Sequence, residues 1–285
     1  CARTGKLYVD KAFPPTEESL GPEKTKISFS GGGSSRVCFK RPHEIVDSDG
    51  AWAAADASSP LRWSVVQGDP PVFDPADVAQ RALGDCWLVA AVASTAHRYG
   101  SIASTFRIQK LSPAGVYQQR INVGGVWFIV TIDDSLPCSE EGFLVFTRGA
   151  KRQLWPALLE KTVAAISGSY QSVEAGRAEE GLRLLTGLPV VHMDPSTVES
   201  KEEMLDRIWE RLVEWNRAGH IITLSSASNG NEVGLAEDHG YSLMEVVESV
   251  TGTRLLRARN PWGKGTFKGP YGPEWPGWRD PANRE

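Results

Sequence analysis

The chain has 285 residues, 41% of them hydrophobic, with a formal net charge of -4 and a pI near 5.8. That length supports a large core in one or two domains, and the mixed, mildly acidic charge excludes the basic footprint of a nucleic-acid binder. No apolar run reaches the roughly 18 residues that would span a bilayer, and residues 1–20 lack a basic start followed by an apolar stretch. The chain begins at Cys1 rather than Met and so reads as a fragment. Its four cysteines, at 1, 38, 86 and 138, are scattered and include no CxxC pair. They form neither a disulfide framework nor a zinc motif, and reduced thiols imply an intracellular, cytoplasmic setting.

Residues 1–36 are rich in Gly, Ser, Pro and charge and end in Ser30-Gly-Gly-Gly-Ser-Ser35, which predicts a flexible arm. Gly68–Asp77 carries three prolines and three aspartates and reads as a loop. Cys86–Tyr99 is apolar almost throughout, predicting a buried helix with Asp85 as N-cap and Gly100 at its end. Val126–Ile132 and Phe143–Phe146 read as strands separated by a turn-rich loop. Pro156–Ser167 is a second helix, with Pro in its first turn and Gly168 beyond its end. Lys201–Ala218 is a third, its Met204, Leu205, Ile208, Leu212 and Trp215 at helical spacing. Ile221–Leu224, Tyr241–Glu248 and Thr253–Arg259 read as strands, the last two joined by a tight turn at Thr251-Gly252. A helix-rich first part and a strand-rich last part suggest an α+β protein of two lobes, with the switch near Thr186-Gly187-Leu188-Pro189.

Cys86 stands at a helix start, where unpaired backbone N–H groups favour the thiolate, the form that attacks carbonyl carbon. A free cysteine is as readily a small buried hydrophobe. His239, in Glu237-Asp238-His239-Gly240-Tyr241, sits just before a strand and is a candidate general base. Spacing alone does not select it over His43, His97, His192 or His220. Asn260 ends the next strand, so antiparallel pairing brings it to the same sheet edge as His239. There its carbonyl can fix the imidazole tautomer, although Asn-Pro is also a common turn. Gln80, six residues before Cys86, is a candidate oxyanion donor or an ordinary loop residue.

Together these segments resemble the calpain family of cysteine proteases. Gln80-Arg-Ala-Leu-Gly-Asp-Cys-Trp-Leu-Val-Ala-Ala91 is similar to its nucleophile motif, Glu237-Asp-His-Gly-Tyr-Ser242 to its histidine motif and Arg259-Asn-Pro-Trp-Gly263 to its asparagine motif. Phe39-Lys-Arg-Pro-His-Glu-Ile45, Trp155-Pro-Ala-Leu-Leu-Glu-Lys161, Ser167-Gly-Ser-Tyr170 and Glu274-Trp-Pro-Gly-Trp-Arg-Asp280 are smaller matches. The resemblance implies a papain-like, two-lobed core: a Cys lobe over 37–187 and a His/Asn lobe over 188–285 that is truncated at its C-terminus. It implies Cys86 as nucleophile, His239 as base and acid, Asn260 as orienter and Gln80 as oxyanion donor. Trp262, Gly187 and Asp238 would meet the substrate, Trp262 also shielding the His–Asn pair from water. The expected activity is an endopeptidase that cuts proteins through a thioester, with regulatory domains outside 1–285. A non-catalytic calpain-like scaffold and another acyl-transfer enzyme, such as a transglutaminase, are the competing readings. The Asn-Pro-Trp motif argues against the transglutaminase, which usually has Asp as third member.

The sequence departs from the family at Arg81, Asp238 and Gly240, in place of Gly, Gly and Ala. Asp238 predicts a raised imidazole pKa. The family also implies Ca²⁺. Asp77 matches one ligand, and Glu274 and Asp280 match others. Gln153, however, stands where a Glu ligand is expected, and hard cations want charged oxygens. No metal-ligand set is assigned.

Overall fold

A computed structural model of the chain describes residues 6–28, 33–46, 63–98, 102–194, 201–227, 233–250, 252–265 and 267–279. The segment expected to be a flexible arm belongs, over its described residues, to the body of the molecule. It forms a one-turn helix α1 (Glu17–Leu20) and an antiparallel ribbon of β1 (Lys26–Ser28) with β2 (Ser34–Arg36). Phe13, Leu20 and Ile27 are buried, and the Phe13 ring lies 5.8 Å from that of Tyr170. Composition misled here because a few well-spaced apolar anchors dock a polar segment. Residues 29–32 lie outside the described residues.

β3 (Cys38–Lys40), β4 (Val78–Ala79) and the helix α2 (Cys86–His97) follow. Every residue from Trp87 to Thr95 is buried. A helix apolar all round cannot face water on any side, and α2 is accordingly packed on two. The hairpin β5 (Val116–Val123) and β6 (Val126–Asp133), then β7 (Leu136–Cys138) and β8 (Arg148–Gly149), lead to the helices α3 (Trp155–Ser167) and α4 (Ala178–Thr186). β3 pairs with β7 and β4 with β8, both antiparallel. α4 lies against α2, and Gly181 permits the approach, because a Cβ there would sit 2.7 Å from that of Ala91.

The C-terminal part holds α5 (Lys201–Arg217) and an antiparallel sheet of β9 (Thr223–Ser225), β10 (Gly240–Glu248) and β11 (Arg254–Arg259), with β10 central. β10 covers the other side of α2. Ser242 Oγ donates to Ala90 O at 2.8 Å, Ser94 Oγ to Ile222 O at 2.9 Å, and His97 Nε2 to Met244 O at 2.8 Å.

The α+β class stands, but strands are not segregated to the end. β1 to β8 all precede residue 150. β5 and α4 escaped the sequence pattern, and Phe143–Phe146 is a loop tied to its neighbours by Val145 N–H to Pro137 O and Ala82 N–H to Val145 O. The predicted helix end at Tyr99-Gly100 and the turn residue Thr251 lie outside the described residues.

An ion pair with no solvent exposure joins three of these pieces. Lys161 of α3 donates from Nζ to Asp133 Oδ1 and to Ser135 O, each at 2.6 Å, while the Asp10 N–H donates to Asp133 Oδ2 at 2.8 Å. Burial pushes the Asp133 carboxyl up, but the Lys161 charge and these hydrogen bonds together hold it below its usual range. Lys161→Met leaves that carboxylate buried without its partner and is expected to cost about 3–5 kcal/mol at neutral pH, read from urea unfolding. The stability from Asp133 is present above the unfolded carboxyl value of about 3.9 and lost as pH falls through its lower folded value. The deficit of the variant should therefore narrow on acidification.

Candidate active site

Cys86 is the first residue of α2, and β10 runs past it. A Cβ on Gly240 would come 3.3 Å from Cys86 O, a tight contact, so the strand passes close to the helix start. His239 immediately precedes β10 and Asn260 immediately follows β11. The register Ser242↔Arg259 sets them side by side, and His239 Nε2 lies 3.1 Å from Asn260 Oδ1. The Trp262 N–H also donates to that atom, at 3.0 Å. A backbone N–H can only donate, so the shared atom is the Asn260 oxygen. The oxygen can only accept, so His239 carries its proton on Nε2 and presents the lone pair on Nδ1. The ring is flanked by Trp262, with centroids 4.7 Å apart, and by Tyr241, edge-on at 5.0 Å. His239 and Asn260 are both buried.

The electrostatics differ from the sequence expectation. Burial pushes the Cys86 thiol up, Asp85 adds to this, and the N–H groups of Gly240, Trp87 and Cys86 itself only partly oppose it. The helix start is thus outweighed by desolvation. Burial also pulls His239 down, against the Asn260 bond. Asp238 is exposed, with φ of 45°, and does not figure among the causes of the His239 shift, so the expected rise is absent. Both directions favour a neutral thiol beside a neutral imidazole at neutral pH, and among the described residues no hydrogen bond joins the two side chains.

Gln80 lines the same cleft as Cys86, His239, Trp262 and Asp238. Its Nε2, however, donates to Leu83 O at 2.8 Å and to Asp85 Oδ1 at 3.2 Å, which uses both amide hydrogens. Its Oε1 is buried without a hydrogen-bond partner. Service as an oxyanion donor requires the amide to turn. Asp85 does not cap α2 with its side chain. It is fully buried and hydrogen-bonded to Glu160, and burial pushes it up to about 7.

Gly187 is not in the cleft. It is the left-handed C-cap of α4, and a Cβ there would sit 2.7 Å from the Trp127 ring. The cleft is lined also by Glu174, Ala175 and Gly176, which sequence reasoning missed. Gly176 lies flat on the Trp87 indole, whose Nε1 donates to Val173 O at 2.7 Å. Glu174 accepts from the Gly84 N–H at 2.9 Å and from Lys24 Nζ at 2.8 Å, bracing the loop before Cys86. Nothing in the local sequence around 174–176 signals this, because the contact spans about ninety residues, as the separation of Gly84 and Glu174 records.

Residues 8–285 match the family model described as calpain family cysteine protease. The chain belongs to the calpain family. It is 30% identical over 293 aligned positions to a calpain-type cysteine protease DEK1 of Arabidopsis thaliana, covering 98% of this chain and 13% of that protein. It is 31% identical over 303 positions to the calpain-1 catalytic subunit of Mus musculus, covering all of this chain and 39% of that protein. The chain therefore spans well under half the length of these relatives.

The calcium implied by calpain membership does not fit Asp77. Gln153 Nε2 donates to Asp77 Oδ2 at 2.5 Å, and Lys151 Nζ lies 3.6 Å from Oδ1. An amide N–H and an ammonium face the carboxylate where an ion needs oxygen ligands. Glu274 is exposed, and Asp280 lies outside the described residues.

A neutral resting pair has a direct consequence. Carbamidomethylation of Cys86 by iodoacetamide, followed by mass spectrometry, should speed up with pH through a value above the ordinary thiol's, about 8.5. A plateau already reached between pH 5 and 8 would instead mean a standing thiolate–imidazolium pair.

Proposed function

We propose that this chain is the catalytic core of an intracellular calpain-type endopeptidase. The core would be papain-like, with a Cys lobe over 37–187 and a His/Asn lobe over 188–285 facing each other across the cleft. The observation that carries the reading is the tautomer forced on His239 beside the nucleophile's helix. Asn260 and the Trp262 N–H leave Nδ1 as the basic nitrogen.

Attack by Cys86 Sγ on the scissile carbonyl carbon transfers the thiol proton to His239 Nδ1. The resulting imidazolium is held by Asn260 Oδ1, and Trp262 and Tyr241 keep water from the ring. It returns the proton to the leaving amine nitrogen as the C–N bond breaks, leaving a thioester. Water then attacks the thioester, giving its proton to Nδ1, and the thiol leaves with that proton. The tetrahedral oxyanion is met by a Gln80 amide turned from Leu83 and Asp85. Substrates are extended protein segments, and the greater length of the relatives supports regulatory domains outside 1–285 as partners. The intracellular setting rests on Cys38, Cys86 and Cys138 all being free thiols. No helix among the described residues is long and apolar enough to cross a membrane. Calcium dependence would rest on elements other than Asp77, and no step is routed through the ion. An inert scaffold is disfavoured, because nucleophile, base and orienter all retain suitable chemistry.

An epoxysuccinyl thiol-protease inhibitor should label the full chain at Cys86 and fail to label Cys86→Ala, read by mass spectrometry with and without calcium. A folded protein without Cys86-dependent labelling would sink the protease reading. On unfolded casein, Gln80→Ala should lose about 10²–10³-fold in kcat, the usual range for one oxyanion donor.

A further inference from the structure

Asp77 is nearly inaccessible to solvent, yet its surroundings are unusually specific. It ends a 3-10 turn (Pro75–Asp77) that runs directly into β4 and then Gln80. Gln153 lies just beyond β8, the partner of β4, so the two residues face each other across the mouth of a short ribbon. Gln153 cannot be reoriented at will. Its Oε1 accepts from the Gln67 N–H at 2.9 Å, and that group can only donate. The opposite end of the amide is therefore the nitrogen, and it points at Asp77 Oδ2. Flipping it would set oxygen against carboxylate and N–H against N–H.

Lys151 reaches Oδ1 from a turn in which it and Arg152 both adopt left-handed backbone, with φ of 52° and 56°. Side chains with a Cβ seldom adopt that region. The turn is held by Gln67 Nε2 donating to Lys151 O at 2.8 Å and Ser64 N–H donating to Arg152 O at 3.1 Å. On the far side, the half-buried Arg259 guanidinium hydrogen-bonds Val78 O and sits in the field of Asp74 and Asp77. Two carboxylates thus lie near two cations, Arg259 and the half-exposed Lys151, and burial of Asp77 still outweighs Gln153 and Lys151 enough to push its carboxyl up. Among the described residues, no third carboxylate, His or Cys joins them to make a metal cluster.

We propose that this cluster is a built-in substitute for a divalent cation: the Gln153 amide and the Lys151 ammonium hold Asp77, and through it the Gln80 segment, with no calcium ion. The consequence reaches the cleft from two directions. β4 leads into Gln80, whose N–H donates to Pro261 O at 2.9 Å, and Arg259 precedes Asn260. The same anchor therefore sits behind the oxyanion donor and behind the orienter of His239. This inference rests on the calpain-type reading for its consequence, but its geometry is independent of whether the chain cleaves anything.

The test counts calcium ions by isothermal titration of the full chain, so no proteolysis is needed. Wild type and Asp77→Asn should bind the same number of Ca²⁺ ions. The double variant Lys151→Met with Gln153→Glu, which restores a second carboxylate and removes the competing ammonium, should bind one more, and adding Asp77→Asn should abolish that gain. Loss of an ion from wild type on Asp77→Asn overturns the proposal. So does a folded double variant that gains none, since Lys151 and Gln153 would then not be what excludes the ion. Inhibitor labelling of Cys86, measured on the same samples, separates the two readings: lost labelling with these calcium counts intact removes the protease assignment and leaves the substitution standing.

Discussion

The structure depends on the need to bury α2 on every side. A helix in which every residue from Trp87 to Thr95 is hidden must be covered by two different partners. One partner is α4, drawn close by Gly181, and the other is β10, drawn close by Gly240. The first contact assembles the part of the cleft lined by Trp87 and Gly176. The second brings the start of β10, and with it His239, to the start of α2, and with it Cys86. The geometry of the candidate site is in this sense a by-product of covering one apolar helix, with small residues at the close approaches.

The same burial governs the chemistry. Desolvation raises the thiol and lowers the imidazole, so the helix N-terminus and the Asn260 bond act against a larger opposing effect. Both shifts favour a neutral pair at neutral pH. In the proposed mechanism, proton transfer accompanies attack, and the tautomer fixed by Asn260 and the Trp262 N–H decides which nitrogen receives the proton. Gln80 follows a similar logic. Its amide hydrogens are satisfied internally by Leu83 and Asp85, and only its oxygen is left without a partner.

Charge is handled differently away from the cleft. Lys161 and Asp133 meet with no solvent exposure and tie α3, β6 and the N-terminal segment together through the Asp10 N–H. Asp77 is served by an amide and an ammonium whose backbone is itself held in place. In both cases the protein supplies its own cation to a buried carboxylate.

The sequence by itself determined the long periodic elements, α2, α3, α5, β6, β10 and β11, because hydrophobic spacing and Gly or Pro punctuation are local. It also determined the identities and order of Gln80, Cys86, His239 and Asn260, whose flanking residues carry the calpain resemblance. It did not reveal that the N-terminal segment is core, since three apolar anchors are invisible in a polar composition. It misjudged Gly187 and overlooked Glu174, Gly176 and Lys151, whose roles arise from contacts between residues far apart in the chain. Protonation was likewise beyond it: the Cys86 and His239 shifts are set by how much water the fold removes, and the role of Asp77 by which end of Gln153 the Gln67 N–H selects. Those are properties of packing, and only the tertiary structure fixes packing.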